Sequence, residues 1–491
     1  MNTVQSLKPL VVCLISLAAV LPIIISRRRP NLREAWTFIA GVIKLGVILS
    51  MISEVLKGRL LEFTVWNIIS GLPIQFRVDG LGLLFALVAS ILWIVTSVYS
   101  LGYMRGLREH SQTRFFVFFA VAISATMGVA FSANLLTMYL FYELLSLSTY
   151  PLVAHHQDGK ARTGGRTYLT YLLGTSIGFA LPAMIFVYLR SGGNMDFSNG
   201  GGLSGKVTGA ETAILLLLFV FGFAKGGLMP FHSWLPGAMV APTPVSALLH
   251  AVAVVKVGVF CIIRVFTGVF GLEFLDTIGG EKFVLWIAVF TILTASLIAL
   301  TQDDLKRRLA FSTISQLGYI VFGISMLSPN GLSGSMLHIG MHAVGKITLF
   351  FCAGAIYVVS GKRQISEMVG IGRQMPFTMF AFFIGSLSII GLPPFGGAWS
   401  KWYLILATLD TGQVILTAIL ILSSLLNIAY LLPIVANAYF VPTDPKQGRV
   451  GISEAPLACL IPLIFTATSC FLLFIYPDLF LHLASLMGGA K

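Results

Sequence analysis

The 491-residue chain is 57% hydrophobic and only 10% charged, with a mean hydropathy of +0.91, whereas soluble domains carry about 25% charged residues. A formal net charge of +13 at pH 7 would suggest nucleic acid as the partner of a soluble protein, but here the basic residues lie in loops between apolar segments. The composition therefore excludes a soluble or nucleic-acid-binding domain and predicts a multi-pass membrane protein.

About 14 segments are apolar and long enough to cross a bilayer, for which roughly 20 residues are needed. We predict an all-α polytopic fold with two inverted five-helix repeats (helices 4 to 8 and 9 to 13) in which helices 7 and 12 are broken. The expected divisions are 1–113 with helices 1 to 3 and a β-hairpin at 58–79 on the outer face, 114–268 and 282–440 for the two repeats, and 441–491 with helix 14.

Lysines and arginines concentrate in the loops of one side. Basic residues favour cytoplasmic loops, and the clusters at 27–33, 160–166, 306–308 and 362–373 share one side if both termini lie outside. We therefore expect an N-out, C-out protein of the plasma or inner membrane.

The chain lacks the motifs that hold redox cofactors or nucleotides. Its five cysteines are scattered through apolar segments without a CxxC pair. The glycine-rich stretch 191–205 has no flanking strand and helix of the kind that phosphate-binding loops need. We expect no cofactor and no metal, so that an ion gradient or a partner must supply the energy.

A few ionisable residues lie within the apolar segments, where each costs about 2.5–3.5 kcal/mol on insertion scales. Glu143 is the one carboxylate predicted at membrane depth. Lys44 is a weaker candidate than the four deep lysines, because it is near enough to a helix end to reach the interface. The deep lysines are Lys225, Lys256, Lys346 and Lys401. A single Glu–Lys bridge between helices would explain two of these charges and leave the others unpaired.

Lysine suits a proton path because burial weakens its hold on a proton and a nearby carboxylate strengthens it, whereas arginine stays charged throughout. His338, His342 and Lys346 follow each other at i, i+4 and i+8, which places them on one helix face. The stripe indicates a proton relay. The alternatives are core histidines bonded to neighbours or, as the weakest, a zinc site without further ligands at suitable spacing.

Other histidines and a loop lysine are weaker candidates. His250 precedes Lys256 by six residues and so faces another side of its helix, where it could join the relay. His232 is either part of the path or a cap at the helix break. Lys306 is a further possible member.

Two helices are predicted to break beside a lysine. Pro230 removes a backbone hydrogen bond close to Gly226 and Gly227, and Pro393 with Pro394 does the same before Lys401. Unwound backbone at membrane depth is tolerated where it is buried or lines a wet cavity. Paired breaks in the two halves of a chain indicate an inverted-repeat transporter with its ion path at the breaks.

Five motifs in order carry a family resemblance: YELLSLSTYPL, KGGLMPFHSWLPGAMVAPTPVSALLHAVAVVK, DDLKRRLAFSTISQLGY, HIGMHAVGK and GLPPFGGAWSK. The chain resembles the antiporter-like subunits shared by respiratory complex I, membrane-bound hydrogenases and multi-subunit Mrp-type Na+/H+ antiporters, and is most similar to the D-type Mrp subunits. The resemblance implies that Glu143 pairs with Lys225, that Lys256 links two half-channels, and that Lys401 ends the path.

The resulting expectation is a proton-translocating subunit of a multi-subunit Na+/H+ antiporter, without covalent or redox chemistry on this chain. Its expected partners are other membrane subunits, the lipid bilayer, H+ and, as an open point, Na+, but not nucleic acid. Three alternatives stay open: a proton-pumping subunit of a complex I-like quinone reductase or hydrogenase, a proton-flow subunit of a solute or inorganic-carbon importer, and a structural scaffold.

Overall fold

The computed structural model describes residues 2–69, 72–198, 200–248, 252–441 and 451–487. Helices dominate because a bilayer offers no hydrogen bonds to bare backbone. The helices are α1 Lys8–Ala18, α2 Val20–Ile25, α3 Pro30–Leu56, α4 Gly80–Gly106, α5 Gln112–Ala130, α6 Leu135–Val153, α7 Gly159–Thr175, α8 Leu181–Ser191, α9 Gly209–Gly222, α10 Trp234–Gly237, α11 Thr243–Ala247, α12 Val254–Arg264, α13 Leu272–Ile278, α14 Lys282–Thr301, α15 Leu305–Ser325, α16 Pro329–Ser360, α17 Ile371–Gln374, α18 Pro376–Ile390, α19 Gly397–Asp410, α20 Val414–Tyr439, α21 Leu457–Ile475 and α22 Asp478–Ser485.

The chain is a multi-pass membrane protein. Within the described ranges, nine helices are long and apolar enough to cross a membrane, and the pair Val254–Phe270 and Leu272–Ile278, bent by 78°, makes ten if it counts as one span. The apolar helices α9 and α18 are shorter because each ends at one of the predicted breaks. The figure of about 14 spans and the repeat boundaries stay predictions.

The predicted hairpin at 58–79 is part of a three-stranded sheet. Strands β2 (Leu60–Ile69) and β3 (Leu72–Val78) pair antiparallel, and β1 (Thr3–Gln5) pairs parallel with β2. The sequence does not reveal β1, because three residues before an apolar helix are too few to show strand alternation.

A buried ion pair ties the end of the sheet to the helical bundle. Asp79 caps α4 by accepting a hydrogen bond from the Gly82 backbone N–H at 2.9 Å, and both of its carboxylate oxygens accept from Arg264 of α12. Arg77 pairs with Glu62 and, at 2.9 Å, with Asp196. The hairpin end of α4 is thereby fixed to α12.

Helix α16 is the central helix of the bundle. It packs against α4, α15, α18, α19 and α21, and nearly all of its residues from Gly331 to Ile356 are buried. With 32 residues it is roughly 48 Å long, more than the thickness of a hydrocarbon core of about 30 Å. The predicted stripe of His338, His342 and Lys346 therefore lies in the middle of the protein.

Candidate functional site

The first predicted break lies where glycine and proline indicated it. Helix α9 ends at Gly222, a single 3-10 turn covers Ala224–Gly226, and Gly227 takes a left-handed φ of +68°. Regular α-helix resumes at Trp234. Lys225 lies in the 3-10 turn and is completely buried.

Helix α6 supplies the hydrogen-bond partners of Lys225. Its ammonium Nζ donates to the Tyr142 carbonyl at 2.9 Å and to Ser146 Oγ at 2.6 Å. The ammonium also lies 3.1 Å from the centroid of the Tyr142 ring, where the ring face attracts a cation. Tyr142 and Ser146 are one turn apart on α6, so a single helix face receives the lysine.

Glu143 lies beside this face but does not bond Lys225. Both of its carboxylate oxygens are shielded from solvent and have no hydrogen-bond partner among the described residues. No ion pair of Glu143 occurs within those residues either. The pair that the family resemblance implies is thus separated in this structure, with the ammonium held by uncharged groups.

Helix α12 packs directly against the first break through Gly258. A Cβ atom at Gly258 would lie 1.9 Å from the Gly226 backbone nitrogen and 2.3 Å from the Lys225 carbonyl carbon. Such distances are far below any real contact, so only glycine allows the two backbones to meet here. Because α12 also carries Lys256, this contact fixes the spacing between the two lysines.

We expect Gly258→Ala to displace the break. The added methyl group meets backbone on the other side, and overpacking of this kind costs typically about 1–3 kcal/mol. Proton transport should fall together with the unfolding midpoint in detergent. Gly174→Ala in α7 is the matched control, because nothing lies within 4 Å of its Cβ position; equal behaviour of the two variants would contradict this role of Gly258.

The central part of the site joins Lys256 to the imidazoles of α16. Lys256 Nζ lies 2.7 Å from His342 Nδ1. The rings of His342 and His338 are 5.5 Å apart and nearly parallel, and His338 Nδ1 lies 2.8 Å from Ser400 Oγ. Since each of these groups can donate and accept protons in some state, the arrangement suits stepwise proton transfer.

The far end of the site is Lys401, beside the second break. Lys401 Nζ donates to the Ile390 carbonyl at 2.8 Å and to Ser424 Oγ at 3.0 Å. Tyr319 bridges toward the histidines, with its ring 5.6 Å from that of His338 and 4.9 Å from the Lys401 ammonium. A cavity of about 250 Å³ opens beside Lys401.

The second break repeats the close approach of glycine to lysine. Gly391 ends α18 with φ +90°, and a Cβ there would lie 2.5 Å from Lys401 Cδ. Pro393 and Pro394 follow, and helix resumes at Gly397. The two glycines differ in what they meet: Gly258 meets backbone at the first break, whereas Gly391 meets the flexible Lys401 side chain and is favoured as glycine by its left-handed φ.

The structure gives Lys346 a different surrounding from that of the histidines on its helix. Its ammonium donates to Ser312 Oγ of α15 at 2.6 Å, and Ser312 is in turn 2.8 Å from the Tyr430 hydroxyl. The stripe predicted from spacing therefore divides, with the two imidazoles facing Lys256 and Lys401 and the lysine facing α15.

Two of the weaker candidates, Lys306 and His232, contact groups outside this line. Lys306 donates to the Ala241 carbonyl at 2.6 Å and lines a cavity of about 80 Å³ at the end of α4 remote from the sheet. His232 lies in the first break with Nδ1 unbonded among the described residues, its ring 6.3 Å from that of Phe311. His250 lies outside the described residues.

Sequence reasoning missed Tyr319, Ser400 and the α6 pair of Tyr142 and Ser146. These side chains are uncharged, so nothing in an apolar segment marks them as unusual. Their positions carried a weaker signal: Ser400 is adjacent to Lys401, and Tyr142 is adjacent to Glu143.

Comparison with known proteins gives matches along most of the chain. A family model described as "NADH:quinone oxidoreductase/Mrp antiporter, TM" matches residues 132–427. A second, described as "NADH-Ubiquinone oxidoreductase (complex I), chain 5 N-terminus", matches residues 66–116. The first match includes every residue of the line from Glu143 to Lys401.

Curated relatives include proteins of redox complexes and of antiporters. NADH-quinone oxidoreductase subunit N of Desulforudis audaxviator is 34% identical over 422 residues, 81% of each chain. The putative antiporter subunit mnhA2 of Staphylococcus haemolyticus is 28% identical over 477 residues, 90% of this chain and 58% of its own length. The chain therefore spans little more than half the length of that antiporter relative.

Two solved structures share the fold over nearly the whole chain. One is from the membrane-bound sulfane sulfur reductase, an archaeal respiratory membrane complex, with a TM-score of 0.85 and 22% identity over 99% of this chain and 97% of that one. The other is from the Mrp complex of Dietzia sp. DQ12-45-1b, with a TM-score of 0.83 and 22% identity over 98% and 96%.

Proposed function

This chain belongs to the family of membrane subunits common to NADH:quinone oxidoreductases and Mrp antiporters, and we propose that it conducts protons as one subunit of a multi-subunit Na+/H+ antiporter. The observation that supports proton conduction is the row of buried groups Lys256, His342, His338 and Lys401. One hydrogen bond joins Lys256 to His342, and ring contacts of 4.9–5.6 Å, the last two made by Tyr319, continue the row to Lys401. A scaffold would have no use for ammonium groups at this depth, where each is costly.

The proposed path begins at Lys225, whose proton affinity depends on how near Glu143 lies. When the carboxylate approaches, the charged ammonium is favoured; when it withdraws, as in the arrangement described above, release of the proton is favoured. The proton then passes by way of Lys256 and the two imidazoles to Lys401, beside which a cavity of about 250 Å³ opens. Lys346 supplies a second proton-binding group beside α15.

We expect partner subunits, because the described line of side chains moves protons but contains no group that would couple proton flow to Na+ transport or to electron transfer. The two solved structures named above come from membrane complexes, which supports other membrane subunits as the partners here. With both termini outside, Lys225 would be loaded from the cytoplasmic side and Lys401 would release outward.

A second candidate function is proton pumping in a redox-driven quinone reductase. The observation that favours it is the 34% identity to the NADH-quinone oxidoreductase relative over 81% of both chains. The line of groups would serve both functions equally well, since only the source of energy differs.

Everted membrane vesicles that contain the complete complex separate these functions. If the chain serves an antiporter, adding Na+ should dissipate a preformed pH gradient, and deletion of this chain should remove that response. If it serves a redox complex, NADH should build a pH gradient that disappears with the chain while Na+ has no effect. Vesicles that behave alike with and without the chain would refute proton conduction altogether.

A further inference from the structure

A cluster of three histidines and one glutamate lies at the end of α4 remote from the sheet, away from the line described above. Glu109 and His110 follow α4, and His155 and His156 follow α6. The Glu109 carboxylate is at the centre: its Oε2 lies 3.6 Å from His156 Nδ1, 3.9 Å from His110 Nδ1 and 4.0 Å from His155 Nε2. Two helix ends thus bring four metal-ligating side chains around one point.

The spacing of the donor atoms is close to that of a tetrahedral metal site. Ligand atoms of Glu109, His110 and His156 all lie within 4.8 Å of one another. In a tetrahedral zinc site with bonds of about 2.1 Å, neighbouring ligand atoms are roughly 3.4 Å apart. The distances from the histidine nitrogens to Glu109 Oε2 need to shorten by only a few tenths of an ångström. The distance between His110 and His156 must shorten by more, and rotation of these two partly exposed side chains allows it.

His155 supplies an independent observation that points to a ligand. Its side chain is completely buried, and neither ring nitrogen has a hydrogen-bond partner in the described part of the chain. A buried imidazole usually satisfies its polar atoms, and here the Glu109 carboxylate lies 4.0 Å from Nε2.

A backbone hydrogen bond fixes the chain at Glu109, and two arginines of the neighbouring helices have other partners. The Glu109 N–H donates to the Met104 carbonyl at 2.8 Å, which fixes the chain as it leaves α4. Arg105 turns away to Glu34, and Arg114 donates to the His155 carbonyl at 2.6 Å. Among the described residues, neither guanidinium forms an ion pair with Glu109, whose carboxylate instead faces the three histidines.

We propose that Glu109, His110, His155 and His156 form a binding site for a divalent transition-metal ion, with zinc as the best fit. Three imidazoles and one carboxylate are borderline donors that suit Zn2+ or Co2+, whereas Mg2+ and Ca2+ prefer oxygen ligands alone. Glu109 and His156 also line the 80 Å³ cavity that contains Lys306, so a bound ion would lie at the wall of that cavity. The proposal departs from the sequence expectation of no metal, which rests on single stretches of sequence, whereas the two halves of this cluster are far apart along the chain.

The test is metal binding by the purified full chain in detergent after removal of metals with a chelator. Zn2+ is titrated against a chromogenic competitor, and Co2+ is added separately to record its visible absorption. We expect one Zn2+ per chain, a tetrahedral Co2+ spectrum, and no competition from millimolar Mg2+ or Ca2+.

Single substitutions identify the ligands. Glu109→Gln, His110→Asn and His156→Asn change partly exposed side chains, so these variants should fold normally. Each should weaken Zn2+ binding by at least about tenfold, because loss of even an indirect contact to a metal costs that much. His482→Asn, at an exposed histidine of α22, is the matched control and should bind as the parent does. Unaltered Zn2+ binding in the first three variants, or an equal loss in His482→Asn, would overturn the proposal, as would absence of stoichiometric binding in the parent. Because binding is measured without transport, the result is independent of the proposed function.

Discussion

Replacing Lys225 by methionine is expected to abolish proton translocation while leaving the fold intact. Methionine matches the length of the lysine stem and removes the ammonium that donates to Tyr142 and Ser146. A positioned proton-transfer group contributes about 10²–10⁴-fold to a rate, so the proton flux of reconstituted vesicles should fall by about two orders of magnitude or more. The free energy of unfolding should change little, since a buried charge is removed together with its desolvation cost.

Two further variants separate the charge of Lys225 from its ability to release a proton. Lys225→Arg keeps the charge but holds its proton permanently, and it should be as inactive as the methionine variant. Lys44→Met is the matched control. Lys44 is as buried as Lys225, so the expectation that it reaches the interface is wrong, and it contacts Ser16 at 3.3 Å and the Trp93 ring at 3.9 Å, away from the line. Full activity of Lys225→Arg, or equal loss in Lys44→Met, would contradict the proposed path.

The contact between Lys256 and His342 should behave as a single unit in a double-mutant cycle. Lys256→Met and His342→Asn each interrupt the same step across 2.7 Å, so each should lower proton flux by about tenfold or more. Once either Lys256 or His342 is replaced, the remaining residue has no partner with which to exchange a proton. The double variant should therefore be no slower than the slower of the two single variants.

A second cycle provides the comparison. Lys256→Met combined with Gly174→Ala joins two sites without shared partners, and separated sites of this kind add within about 0.3–0.5 kcal/mol. The cycle of Lys256 with His342 would instead show a coupling as large as either single effect. Multiplicative losses in that double variant would show that the two groups act on separate routes.

The fold class and the deep charges could be predicted because both depend on local sequence. Apolar runs of sufficient length form membrane helices, and Lys225 and Lys401 stand out within them. Glycine and proline change the backbone at their own positions, so the helix breaks at Pro230 and Pro394 could also be predicted from the sequence. The i, i+4 spacing of His338 and His342 correctly placed both rings on one face, as their stacking shows.

What could not be predicted depends on how distant helices pack. The spacing predicted that Lys346 lies in line with His338 and His342. The packing of α16 against α15 instead brings its ammonium to Ser312, to which it donates a hydrogen bond. The family resemblance implied a Glu143–Lys225 pair, yet side-chain rotation decides whether the two groups touch. The metal-ligand cluster of Glu109 and His156 forms only because two helix ends meet, which neither local stretch indicates.

The different settings of Lys225 and Glu143 have a mechanical consequence. Lys225 is clamped, since its backbone N–H donates to the Tyr142 hydroxyl at 3.3 Å and α12 presses on it through Gly258. Glu143 belongs to the outer side of α6, where Leu140, Leu144 and Leu147 are exposed by 43%, 39% and 55%. The ammonium is thus held from inside the bundle, whereas the carboxylate belongs to a helix that also faces outward. A neighbouring protein that turned α6 by a small angle could therefore change the charge around Lys225 by acting on the protein surface alone, with no rearrangement of the core.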